Sequence, residues 1–190
     1  MIKIAHTQNP VIELIKNRWS NRAFSQKQIP TEALETLFEA ASWAPSSSNE
    51  QPWQYYFAQK NNAESFNLLL NCLVPGNQLW AKGADTIIAS VARKTFAQNN
   101  NNNAFAKYDT AAANYGLLLQ AQTMDIYGHI MAGYDAAKAK EILKLDDSQE
   151  IVVFLVLGYL GDANTLEEPF KARELTPRVR KSVKEFAFQF

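Results

Sequence analysis

Apolar positions recur every three to four residues in two stretches near the start of the chain, and each recurrence predicts a helix. Val11, Leu14 and Ile15 follow Pro10, a residue suited to a first helical turn, and run up to the basic segment at Arg18. Leu34, Leu37, Phe38 and Ala41 follow Pro30 and the candidate cap Thr31, predicting a helix that ends near Trp43, Ala44 and Pro45. The aromatic run 53–58, bounded by Pro52, predicts a strand, and a helix over about 63–73 should be broken at Pro75 and Gly76. Two short runs rich in β-branched residues, 86–92 and 151–157, have the continuous apolar character of strands buried on both faces. Between them, 108–124 lacks proline and is dominated by Ala, Leu and Tyr, which predicts a central helix buried around most of its circumference. Asp135 should cap a short helix through Leu143. The asparagine run from Asn99 to Asn103 has no apolar period and predicts a mobile surface loop. At the tail, Phe186, Phe188 and Phe190 alternate with smaller or polar residues, the pattern of a strand with one apolar face. Such a face needs a sheet, either the chain's own or that of a second copy.

Composition narrows this picture. With 190 residues, 47% of them hydrophobic, the chain suits one α+β domain over 1–190 with an ample core. Lys and Arg balance Asp and Glu at 19 each, so nothing suggests a nucleic-acid or membrane footprint that needs excess positive charge. The lone Cys72 sits beside leucines and reads as a buried thiol, neither a disulfide partner nor a nucleophile. The first six residues lack the apolar core and cleavage site of a secretory signal, and no stretch is long enough to span a bilayer. A soluble cytoplasmic protein is therefore expected.

The charged residues that remain are grouped. In an extended segment Arg18, Ser20 and Arg22 share one side, so two guanidiniums and a hydroxyl converge as a phosphate ester requires. Pro177, Arg178, Val179 and Arg180 repeat the arginine spacing after a residue that favours extended geometry. Between the two clusters lies Pro45, Ser46, Ser47, Ser48, Asn49, Glu50, Gln51, Pro52, Trp53, a polar loop equally suited to an ordinary turn or to a planar ligand. With the segments Gly76 to Trp80 and His129 to Asp135, these pieces in this order resemble the FMN-dependent nitroreductase family over nearly the full length.

The resemblance implies an α+β, three-layer arrangement with a mixed, mostly antiparallel sheet between helices. It also implies a strand-exchanged homodimer, with the tail from about 182 to 190 passed to the other subunit and FMN at the interface. It places Arg18, Trp19, Ser20 and Arg22 among the FMN contacts, with Arg178 and Arg180 closing on the phosphate from the C-terminal side. Arg22 should also favour negative charge on the reduced ring, so its loss should make reduction harder. Pro45, Ser46, Ser47 and Asn49 match the loop that reaches the partner subunit's flavin, and Asn77 the amide at the pyrimidine edge. Met131, Ala132 and Gly133 match the segment whose backbone approaches N5. Trp80 stands where some members carry a basic residue, leaving that charge to Arg22 or to Lys82. No side chain is assigned a catalytic role, His129 included, and no metal is expected. The implied activity is ping-pong hydride transfer from NADPH or NADH to nitroaromatics, quinones or similar electron-poor small molecules. A non-enzymatic FMN-binding or redox-sensing protein is the alternative, as is a specialised member that dehalogenates, dehydrogenates or fragments flavin.

Overall fold

The computed structural model describes residues 3–190, so the first two residues of the chain lie outside the account. Its elements in order are α1 (Glu13–Asn17), α2 (Thr31–Ser42), β1 (Trp53–Gln59), α3 (Ala63–Leu70), α4 (Pro75–Ala81), β2 (Thr86–Arg93), α5 (Ala106–Thr123), β3 (Ile126–Met131), α6 (Ala136–Ile142), β4 (Gln149–Tyr159) and α7 (Phe170–Leu175). The four strands form one sheet in the order β1-β2-β4-β3, and all three pairings are antiparallel.

Alternation along the two central strands feeds two cores. On β4, Phe154 and Val156 join one cluster while Leu155 and Leu157 join the other, and Ile87 and Ile88 divide β2 in the same way. The first cluster packs α3, α4 and α6 on one face, including Phe66, Trp80 and Ala139. The second packs α2 and α5 on the other through Leu34, Leu37, Leu117 and Leu118. Three layers of the α+β kind result.

Several expectations need adjustment. Pro75 does not merely break a helix; it sits in the first turn of α4, where its missing N–H costs nothing. Pro10 lies outside α1, which starts at Glu13. The long helix α5 is less enclosed than its composition suggests: Tyr108 and Tyr115 are exposed while Asp109, Thr110, Asn114 and Gln122 are buried. The asparagine run is a loop, as expected, but a bridge between Thr95 and Asn102 and the burial of Asn103 pin it down. The tail forms no strand. Val183–Glu185 is a single 3₁₀ turn, and Phe186, Phe188 and Phe190 stand exposed. The tail pairs with neither edge strand of its own sheet, so its apolar face finds no cover within one copy. A strand needs a neighbour to take up its hydrogen bonds, and the pattern in sequence cannot supply one.

The segment between α1 and α2 is held against the sheet. Phe24 bridges to Leu160, Ser25 N donates to Tyr159 O at 2.9 Å and Gly161 N to Ala23 O at 3.0 Å. A side chain at Gly161 would meet the backbone C and O of Phe24 at 2.4 Å, so the two backbones touch there.

Candidate functional site

Extended geometry sorts the basic segment as the sequence predicts. Trp19 and Asn21 are buried, while Arg18, Ser20 and Arg22 face away from the core. The inward residues anchor the strip. Trp19 meets Tyr127 edge to face with ring centroids 6.4 Å apart, and the carbonyl of Asn21 lies 2.9 Å from His129 Nδ1. A carbonyl only accepts, so Nδ1 carries a proton. Burial, foremost, and the charges of Arg22 and Arg18 push its pKa down to about 4, although the bond to Asn21 acts the other way.

The C-terminal arginines come to the same place. Arg178 Nη1 donates to Arg18 O at 2.6 Å and Nη2 to Lys16 O, which leaves its buried Nε without a partner. Arg180 lies near enough to lower the pKa of both Arg18 and Arg178, although burial is the larger cause in each. Together with Ile15, Tyr115 and Phe186, these three arginines line a cavity of about 660 Å³. No ion pair among the described residues involves Arg18, Arg22, Arg178 or Arg180. Cations gathered at a partly buried spot without carboxylates repel one another, and an oxyanion relieves that repulsion. A phosphate ester fits this spot.

A second group of residues lies beside the first. The Arg22 guanidinium stands 5.6 Å from the Trp80 ring centroid, and the other neighbour of that indole is the His129 ring at 4.5 Å. One turn before Trp80 on α4, Asn77 Nδ2 donates to Gly133 O at 3.1 Å, an oxygen that also accepts from Val74 N at 3.1 Å. A Cβ on Gly133 would meet Asn77 Nδ2 and Val74 Cγ2, each at 2.9 Å, so only glycine lets α4 approach so closely. Met131 is buried on the same face of β3 as His129, and Ala132 is exposed. Trp80 is 3% exposed, Lys82 lies on the surface, and the cation over the Trp80 ring is Arg22.

The Ser/Asn loop stands apart from these arginines. Pro45, Ser46, Ser47 and Asn49 lie between α2 and β1, and Ser47 N donates to the buried Asp109 carboxylate at 3.0 Å near the start of α5. Tyr115, which lines the arginine cavity, is six residues further along α5, about 9 Å down the helix axis. Ser48, Asn49 and Gln51 all have left-handed backbones, with φ of 54°, 55° and 53°. Ser46 holds that strained shape: its carbonyl accepts from Asn49 N at 3.0 Å and its hydroxyl from Gln51 N at 3.1 Å.

Three residues carry weight here without any signal in the sequence. Glu174 accepts from the backbone of Arg22 and Ala23, Lys3 lies 5.3 Å over the Trp19 ring, and Asp109 tethers the loop. The first and last of these links span 152 and 62 residues, beyond any local pattern.

Comparisons with known proteins identify relatives of the chain. Residues 15–75 match the model of the nitroreductase family, a stretch that includes the Arg18 segment and the Ser/Asn loop. A provisionally named NADH dehydrogenase/NAD(P)H nitroreductase of Archaeoglobus fulgidus is 27% identical over 168 residues, 83% of this chain and 89% of that protein. A solved structure described as an oxidoreductase containing FMN superposes with a TM-score of 0.91 at 32% identity, over 97% of this chain and 93% of the other. A nitroreductase family protein from Streptococcus pneumoniae shares the fold at 22% identity and a TM-score of 0.74, over 94% and 98% of the two chains. Fold and relatives thus define a three-layer α+β oxidoreductase. The chain belongs to the nitroreductase family.

Proposed function

We propose that the protein is an FMN-dependent NAD(P)H oxidoreductase that reduces nitroaromatics, quinones or related electron-poor acceptors in a ping-pong sequence. The observation that carries this reading is the cluster of Arg18, Arg178 and Arg180 without a carboxylate partner around one cavity, with Arg22 over Trp80 and Asn77 bonded to Gly133 on the neighbouring elements. Arg18, Ser20, the free Nε of Arg178 and Arg180 would hold the phosphate, with the backbone at Trp19 contributing, since its side chain is buried. Asn77 and the backbone of Met131, Ala132 and Gly133 would hold the ring. FMN supplies the hydride-accepting and hydride-donating centre that no side chain provides.

The chain's own contribution is electrostatic and steric. Arg22 is kept in place by Trp80 and favours the negative charge that reduction develops. His129, neutral and bonded to Asn21, packs against the same indole and takes no proton in the reaction. Pro45, Ser46, Ser47 and Asn49 would act on the site of a second copy, and the tail over 182–190 would pair with that copy. The exposed Trp43, Tyr108, Tyr115, Phe186 and Phe188 support such a homodimer. Among the described residues no helix is long and apolar enough to cross a membrane, and no cluster suited to a metal ion occurs.

Anaerobic addition of NADPH or NADH to the FMN-loaded protein tests the reading. Rapid bleaching of the flavin, followed by reoxidation on adding a quinone or nitroaromatic, is expected. A protein that binds FMN but is bleached by neither nucleotide is a flavin-binding protein and no reductase. One that takes up no FMN overturns the assignment of the site.

A further inference from the structure

Glu174 on α7 is 3% exposed, yet among the described residues its carboxylate forms no ion pair. Its partners are backbone amides of the basic segment. Arg22 N lies 3.0 Å from Oε1 and 3.1 Å from Oε2, and Ala23 N lies 3.2 Å from Oε1. Burying an ionised carboxylate is expensive, and a neutral amide oxygen would satisfy the same two N–H groups. The position of the charge therefore calls for a reason beyond holding the backbone.

That reason lies in its surroundings. Lys3 is 7% exposed, and its ammonium donates to Arg173 O at 2.7 Å and to Thr176 O, which fixes the end of α7 on either side of Glu174. Glu174 is the one charge that favours the protonated forms of both Lys3 and Arg22, against burial and the neighbouring cations. It is a single negative charge set behind Arg22, on the side away from solvent, while the Arg22 guanidinium reaches out over Trp80.

We infer that Glu174 is a positioning residue for this site: its carboxylate fixes the Arg22 and Ala23 backbone, and its charge offsets Arg22 and so tunes the reduction of FMN bound there. The inference rests on the FMN reading given above. A negative charge behind Arg22 makes an anionic reduced cofactor less favourable, so Glu174 holds the potential lower than the arginines alone would set it.

Full-length wild type, E174Q and E174A separate the two roles. In the FMN-free chain, amide hydrogen exchange at Arg22 and Ala23 should speed by about tenfold in E174A and stay near wild type in E174Q, whose amide oxygen can accept both bonds. In the FMN-loaded chain, E174Q should keep its FMN affinity and show a more positive midpoint potential, while E174A should bind FMN more weakly. A wild-type potential in E174Q, or unchanged exchange in E174A, overturns the inference. If E174A does not fold, the potential of E174Q against wild type decides alone. A wild-type chain that takes up no FMN overturns the functional reading and the tuning with it; exchange at the two amides then still shows whether Glu174 holds the segment.

Discussion

Burial keeps the His129 imidazole neutral in the folded protein, with a pKa of about 4 against an ordinary 6.5. Between those values the unfolded chain binds a proton that the folded chain does not, so stability rises with pH across that window and is lost as pH falls from about 6.5 to 4. The size of the loss is about 3 kcal/mol. Thermal melts at half-unit steps should show this decline in the wild type, and His129→Asn should flatten it whatever that change does to stability at neutral pH. Protonation would also place a third cation beside Arg18 and Arg22, which is why the same ring is a poor choice for acid or base work near neutrality. At this scale the sequence was informative about Arg18, Ser20 and Arg22, because strand alternation depends on nothing distant. Glu174 could not be seen in it, since its role is defined by backbone groups more than 150 residues away.

Elements are fixed by how closely they approach, and two glycines mark opposite extremes. Gly161 abuts the backbone of Phe24, atoms that cannot rotate out of the way, whereas a side chain at Gly76 would meet nothing within 4 Å. Gly161→Ala should therefore cost about 3 kcal/mol or more and loosen the Arg18 to Arg22 segment, while Gly76→Ala, in the first turn of α4, should leave the melting point unchanged or raise it. Chemical denaturation of the two variants checks both signs. The helices α2, α3 and α6 and all strands except β3 were legible in outline because their apolar periods or turn signals are local. The sequence reading set no bounds for β3. It took Pro75 as a stop because proline marks both the end of one helix and the start of the next. It took the tail as a strand because an alternating pattern states a preference for a sheet and says nothing of where the sheet is.

At the scale of the molecule, the exposed tail and the open aromatic face of α5 make one copy an incomplete unit in the arrangement proposed above. Removing residues 182–190 should leave the core of each copy intact, because no residue of that stretch is buried within its own chain. It should shift the mass measured by light scattering from dimer to monomer and weaken FMN uptake; a truncated chain that remains dimeric with full affinity would exclude the exchanged tail. Arg178 has a further consequence, because its guanidinium grips the carbonyls of Lys16 and Arg18 across a separation of 160 residues or more. A growing polypeptide on the ribosome makes Arg18 long before Arg178 exists. In the arrangement proposed above, the phosphate cradle thus cannot close, nor the prosthetic group load, until Arg178 has been made.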